Sequence, residues 1–407
     1  MIEPVETKIL HAGDPILAVR RSPALDAEDA MDYRIISADD HIDLQWMPKD
    51  VWHTRVPPEW RDRAPKVVET SDGPAWVCGD DRWELWGGRP GAAGARGGRR
   101  TAIDRGGVFE HGVLRPTTTA LRLADMDRDG VDATVMYGPI VPLLIKDPDL
   151  RRVCYRAYND WLAEFCATAP ERLIGVGLIP IDDPTMAAEE VRYLKKAGLR
   201  TGMLLAAQVA VPLWDEAWEV LWEAAADTGI PIGFHLGGGL RTVLAGGPKA
   251  NHAGNVGVRI ACATLQIDEA LAAVIFGGVL ERHPGLKIVL AETGIGWLPY
   301  MLERMDETYR RFLDAGDYWR AQGGLPFTQP PSTYWRRQLW ATFQTDHAGL
   351  RLIDLLGDDR VMWASDYPHP DSTWPESQAA IAENFRGTAS ETRRRILCDN
   401  ARGLYGL

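Results

Sequence analysis

The stretch "ISADDHID", residues Ile36–Asp43, closes an apolar run that opens with "YRIIS" at Tyr33. The run reads as a strand entering a core, yet it ends in Asp39, Asp40, His41 and Asp43. Three carboxylates so close together repel one another, and all four groups lose solvation if buried. Seven further runs rich in Val, Ile and Leu follow: 132–139, 172–181, 198–205, 229–237, 286–292, 338–344 and 360–366. Helical patterns lie between most of them, among them "PLWDEAWEVLWEAAADTG" (212–229) and "TLQIDEALAAVIFGGVLERHPG" (264–285), the latter ending in a His-Pro-Gly stop. Eight strands, most followed by a helical pattern, predict the α/β class and a parallel (β/α)8 TIM barrel, preceded by an N-terminal extension. The final "SETRRRILCDNARGLYGL" (390–407) reads as a closing helix over the barrel floor or wall.

The chain has 407 residues, 45% hydrophobic and 25% charged, enough for one large barrel core. A net charge of -12 argues against nucleic acid and against an anionic membrane surface. Five scattered cysteines with no CxxC pair read as reduced thiols, not as a disulfide framework or a thiolate zinc site. No signal-peptide core opens the sequence and no run approaches a membrane span, so a cytoplasmic protein is expected.

Catalytic groups of such a barrel stand at the C-terminal ends of its strands. Strand one ends in Asp39, Asp40 and His41; strand five in "FHLGGG" with His235; strand six in "AETG" with Glu292; strand eight in "SDYPHPD" with Asp366 and then His369. Asp39 and His41 alternate, so they share one face of an extended strand while Asp40 points away. Asp39, His41, His235 and Asp366 can therefore converge at the barrel mouth. Such N and O donors suit a divalent cation (zinc, iron, manganese or cobalt) whose charge offsets the carboxylate repulsion. A lone histidine in a strand more often satisfies itself in the core; four ligand types at one rim are harder to explain that way. Glu292 is a fifth ligand or hydrogen-bonds behind the first four. His283 in "ERHPG" reads as structural.

Two segments break the barrel rhythm. Residues 44–120 form an insertion after strand one, with a Trp-bearing hairpin "VCGDDRWELWGG" and then a Gly/Arg stretch holding Arg89, Arg96, Arg99, Arg100 and Arg105. Residues 237–262 form a Gly-rich excursion after strand five that contains His252. Both leave the catalytic rim and suit lids. Arg96, Arg99 and Arg100 would clamp an anionic or coenzyme A-linked substrate, with His252 and Trp297 as further substrate contacts. The bland alternative for the Arg stretch is a solvated insertion, and Trp76, Trp83 and Trp86 read best as the hairpin's own small core.

The sequence resembles the amidohydrolase superfamily, in the group of aminocarboxymuconate-semialdehyde decarboxylase and the resorcylate-type decarboxylases. The matching pieces are "ISADDHID", "GFHLGGG", "AETGIGWLPYMLERMDE", "MWASDYPHPDSTWP" and "NARGLYGL", across roughly 33–407. The resemblance implies a metal at the barrel mouth, hydrolysis or non-oxidative decarboxylation of a small, often aromatic acid, and a homodimer. The departures are Asp39 in place of the first histidine of the usual pair, no lysine in "GMLLAAQ" to bridge two metals, and Glu292 where the decarboxylases often carry histidine. The leading expectation is hydrolysis of an organic acid, ester, amide or thioester, with a metal-held water as nucleophile and Asp366 or His369 as proton shuttle. Non-oxidative decarboxylation with one metal is the first alternative. Oxygen activation by a two-iron site, bridged by Glu292 or Asp43, is the second, and a non-catalytic binding barrel the third.

Overall fold

A computed structural model of the chain describes residues 35–87, 109–110, 113–139, 145–237, 257–258, 261–314, 316–321, 323–369 and 372–407. Eight strands form one sheet: β1 Ile36–His41, β2 Ala133–Tyr137, β3 Leu173–Leu178, β4 Thr201–Leu204, β5 Ile232–His235, β6 Ile288–Ala291, β7 Leu339–Phe343 and β8 Val361–Trp363. Every neighbouring pair from β1 to β8 is parallel, in chain order. The seam between β1 and β8 is closed just beyond the strand ends. Asp366 N–H donates to the Asp39 carbonyl at 3.0 Å, and His41 N–H donates to the Tyr367 carbonyl at 2.7 Å. This is the (β/α)8 barrel expected from the sequence. All eight strands are buried along their length, as strands covered on both faces must be.

The helices begin and end where local chemistry dictates. Helix α1 is Thr119–Asp129, α2 is Pro148–Cys166 and α3 is Pro184–Ala197. Each of the last two starts on an Asp-Pro pair. The Asp147 carboxylate accepts from Asp149 N and Leu150 N, the Asp183 carboxylate from Thr185 N and Met186 N, and the proline takes the first helical position, where no N–H is needed. Helix α3 stops on Gly198, at φ +85°, a left-handed turn that glycine adopts without cost. Gly177 in β3 serves closeness instead: a Cβ there would lie 2.3 Å from a Leu194 methyl of α3.

Two expected helices are broken. The pattern over 264–285 divides into a 3-10 turn, a helix Asp268–Phe276 and a short helix Val279–Arg282. Gly278, at φ +72° and close against Pro326, makes the break. The C-terminal segment runs as α-helix, π-turn and α-helix over Ser390–Tyr405. It lies on the barrel floor. The Asn400 amide donates to the Asp358 and Val361 carbonyls at the start of β8, and Arg200, just before β4, donates to the Tyr405 and Gly406 carbonyls.

The insertion after β1 carries a three-stranded antiparallel sheet, Lys66–Thr70, Gly73–Cys78 and Asp81–Leu85. Its tryptophans are structural. Trp76 is fully buried, donates Nε1–H to the Leu44 carbonyl at 2.7 Å, and meets Trp52 edge-on with ring centres 5.0 Å apart. Trp86 donates to the Met47 carbonyl at 2.8 Å. Cys78, Cys154, Cys166 and Cys262 are free thiols. Among the described residues no helix is long and apolar enough to cross a membrane. Trp76→Ala should cost about 3–5 kcal/mol, read as a lowered chemical-denaturation midpoint, because it empties the joint between sheet and barrel. An unchanged midpoint would show that the small sheet is not packed on the core.

Candidate metal centre

The pairing registers bring the expected donors to one level. His41 lies opposite Tyr137, and His235 lies opposite Ala291, one residue before Glu292. Asp39, His41, His235 and Asp366 are 1, 2, 4 and 6% exposed, deep enough that each charge needs a partner. Three of their atoms have no hydrogen-bond partner: Asp39 Oδ1, His41 Nε2 and His235 Nε2. All three point to one place, and their mutual separations are within 4.8 Å. Asp39 Oδ1 is 3.7 Å from His41 Nε2 and 3.6 Å from His235 Nε2. Ligands about 2.1 Å from one tetrahedral cation stand about 3.4 Å apart. The residues present therefore fit a divalent cation.

The groups behind the donors hold them in the required state. Thr342 on β7 donates its hydroxyl to Asp39 Oδ2 at 2.8 Å, leaving Oδ1 free. The same hydroxyl accepts the Glu292 N–H at 2.8 Å, so β1, β6 and β7 are joined through one threonine. His235 Nδ1 is 2.6 Å from the Leu236 carbonyl. A carbonyl can only accept, so Nδ1 carries a proton and Nε2 is the nitrogen left to face a metal.

Asp366 and Glu292 complete the ring from β8 and β6. Both sit in left-handed backbone, at φ +62° and +57°, a conformation non-glycine residues avoid and one that collects at functional sites. Asp366 Oδ1 is 3.2 Å from His41 Nε2 and 2.9 Å from His369 Nδ1. Glu292 Oε2 is 3.4 Å from His235 Nε2 and 4.0 Å from His41 Nε2, with its side chain partly open to solvent. The loop beyond Glu292 is held by Asp346, whose carboxylate accepts from Ile295 N, Gly296 N and Gly349 N, each at 2.7 Å. His369 bridges two carboxylates, with Nε2 2.8 Å from Asp43 Oδ2, and its ring stacks on His41 at 4.0 Å. Two donor sets thus overlap at His41: Asp39 with His235, and Asp366 with His369.

The charges balance within the cluster. Burial opposes protonation of His41, but Asp366 and Asp43 lift it to about 10. Burial likewise opposes protonation of His369, while the same two carboxylates hold it well above the usual imidazole range. His235 is raised too, by Asp39 and Glu292 against the effect of burial. Asp366 goes the other way: burial would raise it, yet His369 and His41 hold it well below the carboxylate range. Glu292 is lifted by burial and then by the Asp366 charge, to about 7.

The remaining sequence candidates fall elsewhere. Trp297 is half-buried on the loop after β6 and donates its indole N–H to the Thr293 carbonyl at 3.0 Å. His283 pairs with Glu219 at 2.7 Å, far from the rim in role. Arg96, Arg99, Arg100 and His252 lie outside the described residues. Reading the sequence missed Thr342, which looks like any β-branched strand residue, and Tyr137, whose ring backs His235 at 4.7 Å. It weighed Asp43 only as a metal bridge.

The amidohydrolase family model matches residues 114–407. The chain belongs to the amidohydrolase family. This amidohydrolase is 27% identical over 302 residues to a gamma-resorcylate decarboxylase of Polaromonas sp., covering 70% of this chain and 86% of that one. It is 24% identical to a 2-amino-3-carboxymuconate-6-semialdehyde decarboxylase of Dictyostelium discoideum, over 70% of this chain and 76% of that one. A crystal structure of an amidohydrolase from Mycobacterium avium subsp. paratuberculosis superposes with a TM-score of 0.72 at 21% identity, over 92% of this chain and 100% of the other. A 5-carboxyvanillate decarboxylase from Novosphingobium aromaticivorans, solved with manganese, superposes with a TM-score of 0.63 at 19% identity, over 92% and 96%.

Metal ligation needs neutral imidazoles, and His41 and His235 are lifted toward the protonated form in the metal-free protein. Uptake of a divalent cation should release about one proton or more per metal, and the apparent affinity should strengthen as pH rises from about 6 to about 8. Chelator competition and calorimetry in buffers of different ionisation enthalpy would read both. A pH-independent affinity with no proton release would remove His41 and His235 from the ligand set.

Proposed function

We propose that this amidohydrolase is a divalent-metal-dependent, non-oxidative decarboxylase of a small aromatic carboxylate. The observation that favours this over the hydrolysis expected first is the set of curated relatives. The gamma-resorcylate decarboxylases and the carboxymuconate-semialdehyde decarboxylase each align over much of this chain. The site geometry supports the same reading. Asp39, His41, His235 and Asp366 would hold the cation, with Glu292 as a fifth donor. The carboxylate-rich set leans toward manganese or iron more than three imidazoles would. When bound, the cation supplies positive charge that fixes a substrate carboxylate or neighbouring oxygen and draws electron density from the ring.

The rest of the reaction falls to the protein. Decarboxylation breaks the bond between ring carbon and carboxylate, leaves the electron pair on the ring, releases carbon dioxide and needs one proton at that carbon. Asp366 and His369 share a proton across 2.9 Å at the rim, and His369 is held in turn by Asp43. This pair presents a proton beside the bound carboxylate and keeps it oriented through the stack on His41.

A second reading has one specific observation behind it. The second donor set, His41, Asp366 and His369, adjoins the first, and Glu292 faces both histidines of the first set. Two cations, two irons in particular, would make the site an oxygen-activating one.

The test is carbon dioxide release from hydroxylated aromatic acids by manganese-, iron- and zinc-loaded protein without oxygen. One carbon dioxide per substrate consumed is expected. His369→Asn should lower kcat by about 10²–10⁴-fold while the metal content stays at the wild-type value. An absolute requirement for oxygen and reductant, with about two irons per chain, would overturn the decarboxylase reading in favour of the second.

A further inference from the structure

Helix α1 buries the wrong face. A surface helix turns its apolar stripe inward and its charges to water. Here the inward residues include Arg122, Asp125 and Asp129, and Arg122 is fully buried. Fully buried arginines are rare and costly unless they are paired. Most of their partners lie on the two chain segments that carry metal-centre donors, β1 and the chain after β8.

Arg122 reaches three groups on those segments and one carbonyl on its own side. Its Nη1 donates to the His41 carbonyl at 3.1 Å and to the Pro116 carbonyl at 3.3 Å. Its Nη2 forms an ion pair with Asp40 Oδ2 at 3.5 Å without a hydrogen bond, and its Nε has no hydrogen-bond partner. Its guanidinium lies over the Tyr367 ring, 5.0 Å from the centre. His41 is a donor in the centre, Asp40 sits between Asp39 and His41, and Tyr367 follows Asp366. Asp40 extends the grip: it accepts from Ser37 Oγ at 2.7 Å, Ser365 Oγ at 2.6 Å, Tyr367 N at 3.1 Å and the Thr134 hydroxyl. Asp125 takes the Tyr367 hydroxyl at 2.7 Å and is itself held by Arg115. Asp129 accepts from Ser377 N at 2.9 Å and the Ser377 hydroxyl at 2.5 Å, further along the same segment.

We propose that Arg122, paired with Asp40, is the positioning residue of the metal centre, setting the separation between the β1 donors and Asp366 without touching either metal or substrate. Hydrogen-bonded closure of β1 on β8 could be made by backbone alone, as elsewhere in the barrel. A fully buried cation here adds a fixed distance. A guanidinium is planar and rigid, so it holds a carbonyl, a carboxylate and a ring in one geometry, which a lysine ammonium cannot do. Groups behind a metal's ligands commonly govern affinity by about 10–100-fold.

The inference rests on the metal reading of the rim, and the experiment separates the two. Cobalt(II) is titrated into wild type, Arg122→Lys and the double variant Asp40→Asn/Arg122→Met. The double variant removes both charges together, so no unpaired charge is left buried. Wild type should bind cobalt with a visible d–d spectrum. The variants should bind about 10–100-fold more weakly, with shifted bands, while circular dichroism shows the barrel intact. No cobalt binding by wild type would sink the metal reading itself. Wild-type affinity and an identical spectrum in a folded variant would overturn the positioning role and leave Arg122 a stability element. If the double variant does not fold, Arg122→Lys alone is judged by the same two outcomes.

Discussion

Two backbone hydrogen bonds, from His41 N–H to Tyr367 and from Asp366 N–H to Asp39, join the end of the first strand to the chain just beyond the last. Everything distinctive at the rim depends on that seam. It makes neighbours of residues more than 300 positions apart and sets an aspartate beside a histidine beside another aspartate. Such an assembly is electrostatically unfavourable by itself. The structure offsets it by interleaving imidazoles with carboxylates, so that Asp366 faces His41 and His369, and Asp39 faces His41 and His235. The result is a cluster that already has the charge distribution of a cation site.

Backbone strain has gone to the same rim. Left-handed φ at Glu292 and Asp366 costs on the order of 1–3 kcal/mol each. Neither residue is glycine, and each carries a carboxylate at that position. The surroundings hold both in place. The Thr342 hydroxyl takes the Glu292 N–H, Asp346 takes three amides around the following loop, and Asp366 is tied by its own N–H to β1. The strain aims two acid side chains inward at points where an extended strand would have carried them to the next position.

Much of this was legible in the sequence, for a physical reason. Parallel barrel strands are covered on both faces, so they appear as short unbroken apolar runs, and a charged residue at the end of one stands out. Asp39, His41, His235 and Asp366 were readable on that basis, and the structure brings them together. The strand ends were overrun by a few residues because flanking turns are also apolar, as in "RLIGVGLIPI". The helix over 264–285 was read as one because its apolar pattern continues through Gly277 and Gly278, where backbone conformation decides instead. Arg122 was hidden for the opposite reason. In a helix containing "RLADMDRD" a charge is expected to face water, and only the third dimension shows that this one does not.

Strand β1 does double duty through the two-residue period of an extended chain. Asp39 and His41 face the barrel interior, and Asp40 faces outward to Arg122 and the hydroxyls of Ser37, Ser365 and Thr134. Ser37 has the same parity as Asp39, yet its hydroxyl serves Asp40. The irregular register between Ser37 and Asp40 accounts for this, since an extra residue in a strand shifts which side faces out. A one-residue slip of the whole strand would exchange the two sets, pointing Asp40 into the barrel and Asp39 at the arginine. Side-chain chemistry forbids it. Only the observed register gives the outer carboxylate a guanidinium and the inner one two imidazoles, so the polar groups that create the site also specify the pairing that builds it.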